Sequence, residues 1–156
     1  MLKTSKDQIY YELNEIYHSR IITKILNKIT KEGKKDKIEF FFHKTILLFK
    51  KHKCHLFLRL FYLIETIRPI IEMIPVRKRG RNYEVGAPAN LPRQYKKAIN
   101  WLTQTIILSK YLTIYTRISN EFISLIFYKK GLAFFKRKNE YKRFIKNRAY
   151  VHFRWK

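Results

Sequence analysis

Residues 70–89, Ile70-Ile71-Glu72-Met73-Ile74-Pro75-Val76-Arg77-Lys78-Arg79-Gly80-Arg81-Asn82-Tyr83-Glu84-Val85-Gly86-Ala87-Pro88-Ala89, break the pattern of everything on either side. Two short β-prone runs, partly alternating between apolar and polar side chains, flank a turn-like centre rich in cations. This is the signature of a β-hairpin. Gly80 and Asn82 are residue types that take positive φ readily, so the reversal is expected there. Pro75 and Gly86 fall within the two strands, and a two-stranded ribbon has only edges, where proline is tolerated.

Outward from this hairpin the periodicity is helical. On its N-terminal side, Leu56 to Ile67 is an apolar helix stopped at Arg68-Pro69, since a proline biases its predecessor out of helical geometry. Before that, Ile38, Phe41, Phe42, Thr45, Leu48 and Phe49 mark one buried helical face, with Asp36 as a cap candidate. Residues 20–30 carry Ile22, Ile25, Leu26 and Ile29 at the same spacing, between Ser19 as N-cap candidate and Gly33 past the end; Ile9, Leu13 and Ile16 could extend this helix backwards.

On the C-terminal side, Pro92 suits a first helical turn, and Ala98, Trp101, Leu102 and Thr105 define the face of a helix running to about Lys110, with Trp101 read as core. Tyr115, Ile118, Phe122, Ile123 and Ile126 mark the next helix, broken near Gly131, and a last one spans about Glu140 to Arg148. The expectation is a mainly α, single domain over 1–156 of about six helices with a protruding two-stranded ribbon. Residues 1–18 form an N-terminal extension, 70–89 the hairpin arm and 147–156 a C-terminal tail.

The 35 Lys and Arg against 11 Asp and Glu give a net charge of +24, which in a free globule means strong self-repulsion. A polyanion is the expected partner. Nucleic acid fits better than a membrane surface, because the cations are spread along the chain and not gathered in one block. Cys54 is the only cysteine, so an intramolecular disulfide is excluded. The apolar stretch Leu56 to Ile67 is too short for a spanning helix and carries Arg59 and Glu65. Asp7, Glu12 and Glu15 near the N-terminus are unlike an Arg-rich import peptide, so a chain acting in an organelle is expected to be made there. Heavy use of Lys, Ile, Phe, Tyr and Asn, with 4 Gly and 4 Pro, matches an AT-rich genome of the kind organelles often have.

Three stretches resemble a known family. Lys24-Ile25-Leu26-Asn27-Lys28-Ile29 with Gly33-Lys34-Lys35 is similar to its first helix and following basic loop. Glu65, Ile67-Arg68-Pro69, Glu72, Arg77, Gly80, Tyr83, Val85, Arg93, Ala98 and Trp101 are similar to its hairpin and the start of the next helix. Arg117-Ile118-Ser119-Asn120-Glu121 and the closing Asn147-Arg148-Ala149-Tyr150-Val151-His152-Phe153-Arg154-Trp155 look like its C-terminal signature. On these motifs, covering roughly residues 20–155, the chain resembles the seventh small-subunit ribosomal protein family in its bacterial and organellar form. Two departures stand out: Arg79 occupies the first of the two tip positions that are usually glycine, and Gly86 replaces a strand proline. Bulky Phe and Tyr in the last two helices suggest wider helix spacings.

The resemblance implies a structural, non-catalytic protein of the small subunit. It would bind the 3′ domain of the rRNA, help nucleate head assembly, and reach exit-site tRNA and the mRNA exit with its hairpin tip, here Arg79, Gly80 and Arg81. Neighbouring head proteins would be partners, with no cofactor and no membrane insertion. The expected location is the mitochondrial ribosome in the matrix, with plastid as the alternative.

Candidate rRNA contacts are Lys34 and Lys35 in the basic loop, Arg77, Lys78, Arg79 and Arg81 around the hairpin turn, Arg93, and Arg148 and Arg154 in the tail. Four cations on one turn repel unless phosphates neutralise them, and given the hairpin and the net charge RNA contact is preferred to a solvated charge run. Tyr150, His152, Phe153 and Trp155 could stack on bases or pack the tail, and packing is preferred. His52, Cys54 and His55 match no zinc spacing, and structural zinc needs four ligands, so no metal is expected. Glu72, Glu84 and Glu121 sit apart and are read as balancing nearby cations. A free nucleic-acid-binding regulator would leave the C-terminal match unexplained, and a membrane-surface protein would need one long amphipathic helix.

Overall fold

The computed structural model describes residues 20–51, 56–128 and 130–154. In chain order these form α1 (Arg20–Ile29), α2 (Lys35–Lys51), α3 (Leu56–Ile67), β1 (Ile71–Lys78), β2 (Arg81–Pro88), α4 (Leu91–Leu108), α5 (Ile114–Ile126), α6 (Leu132–Lys146) and a closing 3-10 helix, Arg148–Arg154. The chain is therefore mainly helical with a two-stranded antiparallel ribbon.

The apolar spacing builds the core. Ile22, Ile25, Leu26 and Ile29 of α1, Ile38, Phe42, Ile46 and Phe49 of α2, and Leu60, Leu63, Ile64 and Ile67 of α3 meet Ala98, Ile99, Leu102 and Ile106 of α4 and Ile118, Phe122 and Leu125 of α5. Phe42 and Phe122 meet edge to face at 6.2 Å, a favoured aromatic geometry. Of the α2 face read from sequence, Phe41 and Leu48 are half-buried and Ile46 takes a buried place instead. Trp101 is also half-buried: it packs on the rim of the core with the Lys97 ammonium 5.7 Å from its ring.

Helix boundaries depart from the sequence reading in three places. Asp36 lies inside the first turn of α2 and does not precede it, because Glu32 and Gly33, both at positive φ, close the α1–α2 turn early enough for the helix to start at Lys35. Helix α4 ends at Leu108, two residues before Lys110, where Ser109 turns extended. The largest difference is α6, which starts at Leu132 and not near Glu140. Its start is satisfied from another helix: the buried Glu121 carboxylate of α5 accepts the Ala133 N–H at 3.2 Å, and burial holds that carboxyl above its ordinary range. Gly131 leaves the approach open, since a Cβ there would lie 2.3 Å from Leu125.

The ribbon pairs from Ile71 opposite Pro88 to Lys78 opposite Arg81, with a two-residue loop of Arg79 and Gly80. Both loop residues have positive φ, 49° and 79°, as the tight hairpin turns that match strand twist require. The reversal therefore uses Arg79 and Gly80, while Asn82 pairs with Arg77 inside the ladder. Pro75 sits opposite Glu84. Gly86 is buried, and a Cβ on it would lie 2.2 Å from the Phe144 ring, so the missing side chain lets α6 close on the ribbon.

Candidate nucleic-acid interface

The ribbon's root is tied to the helical core by Glu65 and Arg68, which stood out in the sequence, and by Gln94, Tyr95 and Tyr141, which did not. Glu65 pairs with Arg68 at 2.6 Å, and Arg68 donates to Gln94 and lies 5.6 Å from the Tyr95 ring. Tyr95 donates its hydroxyl to Glu65, and that hydrogen bond raises its pKa. Gln94 in turn donates to the Ala89 carbonyl at 2.7 Å, and Ala89 donates its N–H to Ile70 at 2.9 Å. The Tyr141 hydroxyl of α6 accepts the Ile70 N–H. Each of these links spends a polar group at the joint, so the arm leaves the core at a fixed angle.

Higher up, the C-terminal segment grips both faces of the ribbon. Antiparallel register puts Val76, Lys78, Arg81 and Tyr83 on one face and Arg77, Asn82, Glu84 and Gly86 on the other. Phe144 meets Gly86, and Arg143 and Asn147 of the α6 C-terminus donate to Glu84 on the second face. The 3-10 helix then lies against the first face, with Tyr150 and Phe153 at 5.0 and 5.1 Å from the Tyr83 ring. The tail thus crosses the edge of β2, and its aromatics pack onto the protein; Trp155 lies outside the described residues.

This arrangement sorts the cations read from sequence. Arg77 is exposed on one face, Arg81 is exposed on the other, and Arg79 stands at the tip. Lys78 shares the Arg81 face but lies 4.6 Å from the Phe153 ring, half-buried, so part of its charge is already engaged. Arg93 holds the carboxylate of Glu72, buried to 5 % exposure, at 3.0 Å while its own side chain stays 65 % exposed. Arg148 and Arg154 are exposed on the 3-10 helix beside the ribbon. Lys34 and Lys35 belong to a different corner, the α1–α2 turn, where they pair with Glu32 and Glu39. The carboxylates of Glu72 and Glu84 balance cations as expected, and Glu121, which feels the charge of Lys136, serves in addition as the cap of α6.

One feature was not legible as a site. A cleft of about 620 Å³ lies between the ribbon root and α4, lined by Glu72, Met73, Pro92, Arg93, Lys96, Lys97 and Asn100. Lys96 is exposed at its mouth, Lys97 is held by Glu140, and Asn100 Oδ1 is buried with no partner among the described residues. Lys96 and Lys97 were visible only as two more lysines in a basic chain. No group of three potential metal ligands occurs among the described residues, and His52, Cys54 and His55 lie outside them. Among the described residues no helix is long and apolar enough to cross a membrane.

A braced ribbon on a helical core, with cations at its tip and root, invites comparison with known proteins. Residues 2–148 match the family model described as ribosomal protein S7p/S5e. The chain belongs to the ribosomal protein S7p/S5e family. It is similar to proteins named small ribosomal subunit protein uS7 from Nitratiruptor sp. (30 % identity over 142 residues, 90 % of each chain), Metamycoplasma arthritidis (32 % over 141, 90 % of each) and Brachyspira hyodysenteriae (32 % over 145, 92 % of each). Membership of the S7p/S5e family makes this a ribosomal protein with a structural role in translation, not an enzyme. The family match begins at residue 2, so it includes the residues read above as an extension.

Proposed function

We propose that this chain is a structural constituent of an organellar, mitochondrial small ribosomal subunit that binds the 3′ domain of the small-subunit rRNA and helps nucleate assembly of the head. The observation that carries the RNA-binding part is the ribbon: Arg77, Arg79 and Arg81 are exposed on an arm whose root and flanks are locked to the core. Holding like charges together on a stiff arm is unfavourable in water, and phosphates relieve it. A narrow ribbon also fits RNA surfaces too confined for a helix. Arg93 and Lys96 at the cleft, Lys34 and Lys35 at the α1–α2 turn, and Arg148 and Arg154 in the tail extend the contact as phosphate-binding groups. The tip, Arg79-Gly80-Arg81, is the part assigned to exit-site tRNA and the leaving mRNA, and other head proteins are the expected neighbours.

The organellar assignment rests on residue usage. Twelve Phe and 11 Tyr against 4 Gly, with abundant Lys and Ile, are what an AT-rich genome encodes, and the mitochondrion is preferred to the plastid because Arg79 and Gly86 depart from the usual hairpin residues. The test is to follow the chain by mass spectrometry through sucrose gradients of mitochondrial lysate at moderate and high salt. Co-sedimentation with the small subunit that survives high salt is the expected result. A chain that stays in the light fractions, or leaves the subunit at modest salt, sinks the reading.

A further inference from the structure

The cleft between the ribbon root and α4 is built differently from the rest of the basic surface. Two of its charges are already matched inside the chain: the Glu72 carboxylate, 5 % exposed, is held by Arg93 at 3.0 Å, and the Lys97 ammonium is held by Glu140 and lies 5.7 Å from the Trp101 ring. What is left to meet a ligand is of three kinds. Met73 and Pro92 are apolar walls, and Arg93 and Lys96 are exposed cations at the mouth. Asn100, four residues after Lys96 and therefore on the same face of α4, carries a buried Oδ1 with no hydrogen-bond partner among the described residues. An amide oxygen buried without a donor is unfavourable, so a donor brought in beside it makes a bond that replaces no existing one.

These groups together ask for a ligand that is apolar over its faces, carries N–H donors on its edge and has a negative charge attached. A nucleotide meets all three demands. An inorganic anion would use the cations alone, and an acidic side chain would bring no donor to Asn100. The volume, about 620 Å³, is that of a site for one small organic molecule and is too confined for a duplex. Single-stranded RNA, by contrast, is read through unstacked bases taken up by the protein one at a time. We propose that the cleft takes one unpaired, unstacked nucleotide of the small-subunit rRNA. Its base lies against Met73 and Pro92, a base N–H donates to Asn100 Oδ1, and its phosphate stays at the mouth with Lys96 and Arg93. The polarisable thioether of Met73 suits contact with an aromatic base. The inference rests on the rRNA-binding reading above and adds a base-reading site to an interface otherwise made of phosphate contacts.

The experiment binds the full chain to a 3′-domain rRNA transcript and probes the bases with dimethyl sulfate, a carbodiimide and kethoxal, which modify unpaired Watson–Crick edges. Among the bases that the native chain protects, one is expected to react again when Met73→Trp fills the cleft. The same variant lowers affinity about tenfold, the order of one lost base contact, and leaves the slope of log affinity against log salt as it was. Lys96→Gln, in contrast, lowers the magnitude of that slope by about 0.7–0.9, the share of one phosphate. Asn100→Leu keeps the bulk, removes the acceptor and re-exposes the same base, and it decides the matter should Met73→Trp fail to melt cooperatively. Protections and affinity unchanged in both Met73→Trp and Asn100→Leu overturn the proposal, while protection by the native chain upholds the rRNA reading. A reduced salt slope in Met73→Trp with no base re-exposed shows that the cleft meets a phosphate alone and overturns the base site. Loss of every protection from a folded cleft variant overturns it as well. A native chain that protects nothing in the transcript sinks the rRNA reading and the site with it.

Discussion

Arg79 occupies a position where the backbone needs glycine's freedom. Its φ of 49° is left-handed, and an L side chain there costs about 1 kcal/mol. Arginine stands here in spite of that cost, which fits a side chain present for its charge. Arg79→Gly is therefore expected to slow amide exchange across β1 and β2, with a net gain of a few tenths to about 1 kcal/mol after the added entropy of the unfolded chain, and to weaken rRNA binding. Slower exchange with undiminished binding would refute a role for this cation. Glu121 presents the opposite case, an acidic side chain placed where burial disfavours its charge. Burial raises its pKa above the ordinary 4.5, against the lowering effect of the Ala133 N–H that it accepts. Because the folded value exceeds the unfolded one, its stabilising share is complete below the unfolded pKa and is lost as pH rises through the folded pKa. Glu121→Gln keeps the acceptor and removes the titration, so the stability advantage of the native chain over this variant should shrink as pH rises from 4.5. Glu121→Ala leaves the Ala133 N–H orphaned and should cost about 1–3 kcal/mol. Thermal melts of the three chains between pH 4.5 and 7 check both statements, and parallel native and Gln curves would show that the carboxyl does not titrate in this window.

A two-stranded ribbon is marginal in water by itself, so β1 and β2 owe their order to what holds them. The root network fixes one end, and the tail fixes the flank through Tyr83, Tyr150 and Phe153, with ring pairs of this kind contributing about 0.5–1.5 kcal/mol each beyond burial. Tyr83→Ala removes two such pairs at once. Its expected effect is faster hydrogen exchange in the distal half of the ribbon, corresponding to a loss of about 1–3 kcal/mol in local opening free energy, while protection in α1 to α5 stays unchanged. If core protection falls equally, ribbon and core unfold as one unit and the clasp is not a local device. The same elements show what could be read from the sequence. Helices α1, α2, α3 and α5 announced themselves because their stabilising faces are internal to each segment and follow the 3.6-residue period. The ribbon was legible from its β-prone runs and its cationic turn. The start of α6 was not, because its capping carboxylate comes from Glu121 on another helix and its first turns, Leu132-Ala133-Phe134-Phe135, lack a clean apolar stripe. Among the site residues the cations were evident from charge alone, but the capture of Arg93 by Glu72 and of Lys78 by Phe153 depends on contacts between distant parts of the chain. The Glu72–Arg93 pair also explains why these two positions belong to the hairpin motif: a carboxylate so deeply buried needs a cation beside it.

At the scale of the whole molecule the net charge of +24 acts in two opposed ways. In the free chain it opposes compaction, so added salt should stabilise the fold by screening repulsion among cations. In the complex it drives association through release of counterions from the RNA, so added salt should weaken binding. The two trends separate a folded scaffold from its electrostatic interface: between 50 and 400 mM salt the melting temperature of the isolated protein should rise while its affinity for a 3′-domain rRNA transcript falls. The slope of log affinity against log salt then reports how many cations meet phosphates, at roughly 0.7–0.9 for each contact. Replacing Arg77, Lys78, Arg79 and Arg81 together by Gln should reduce the magnitude of that slope by about 2–3. The full value for four contacts is not expected, since Lys78 is already engaged with the Phe153 ring. Filter binding of the native and four-Gln chains over the salt series measures the difference. An unchanged slope would mean that the ribbon cations stay solvated in the complex and that the phosphates are met elsewhere, with Arg93 and Lys96 at the cleft the next positions to replace.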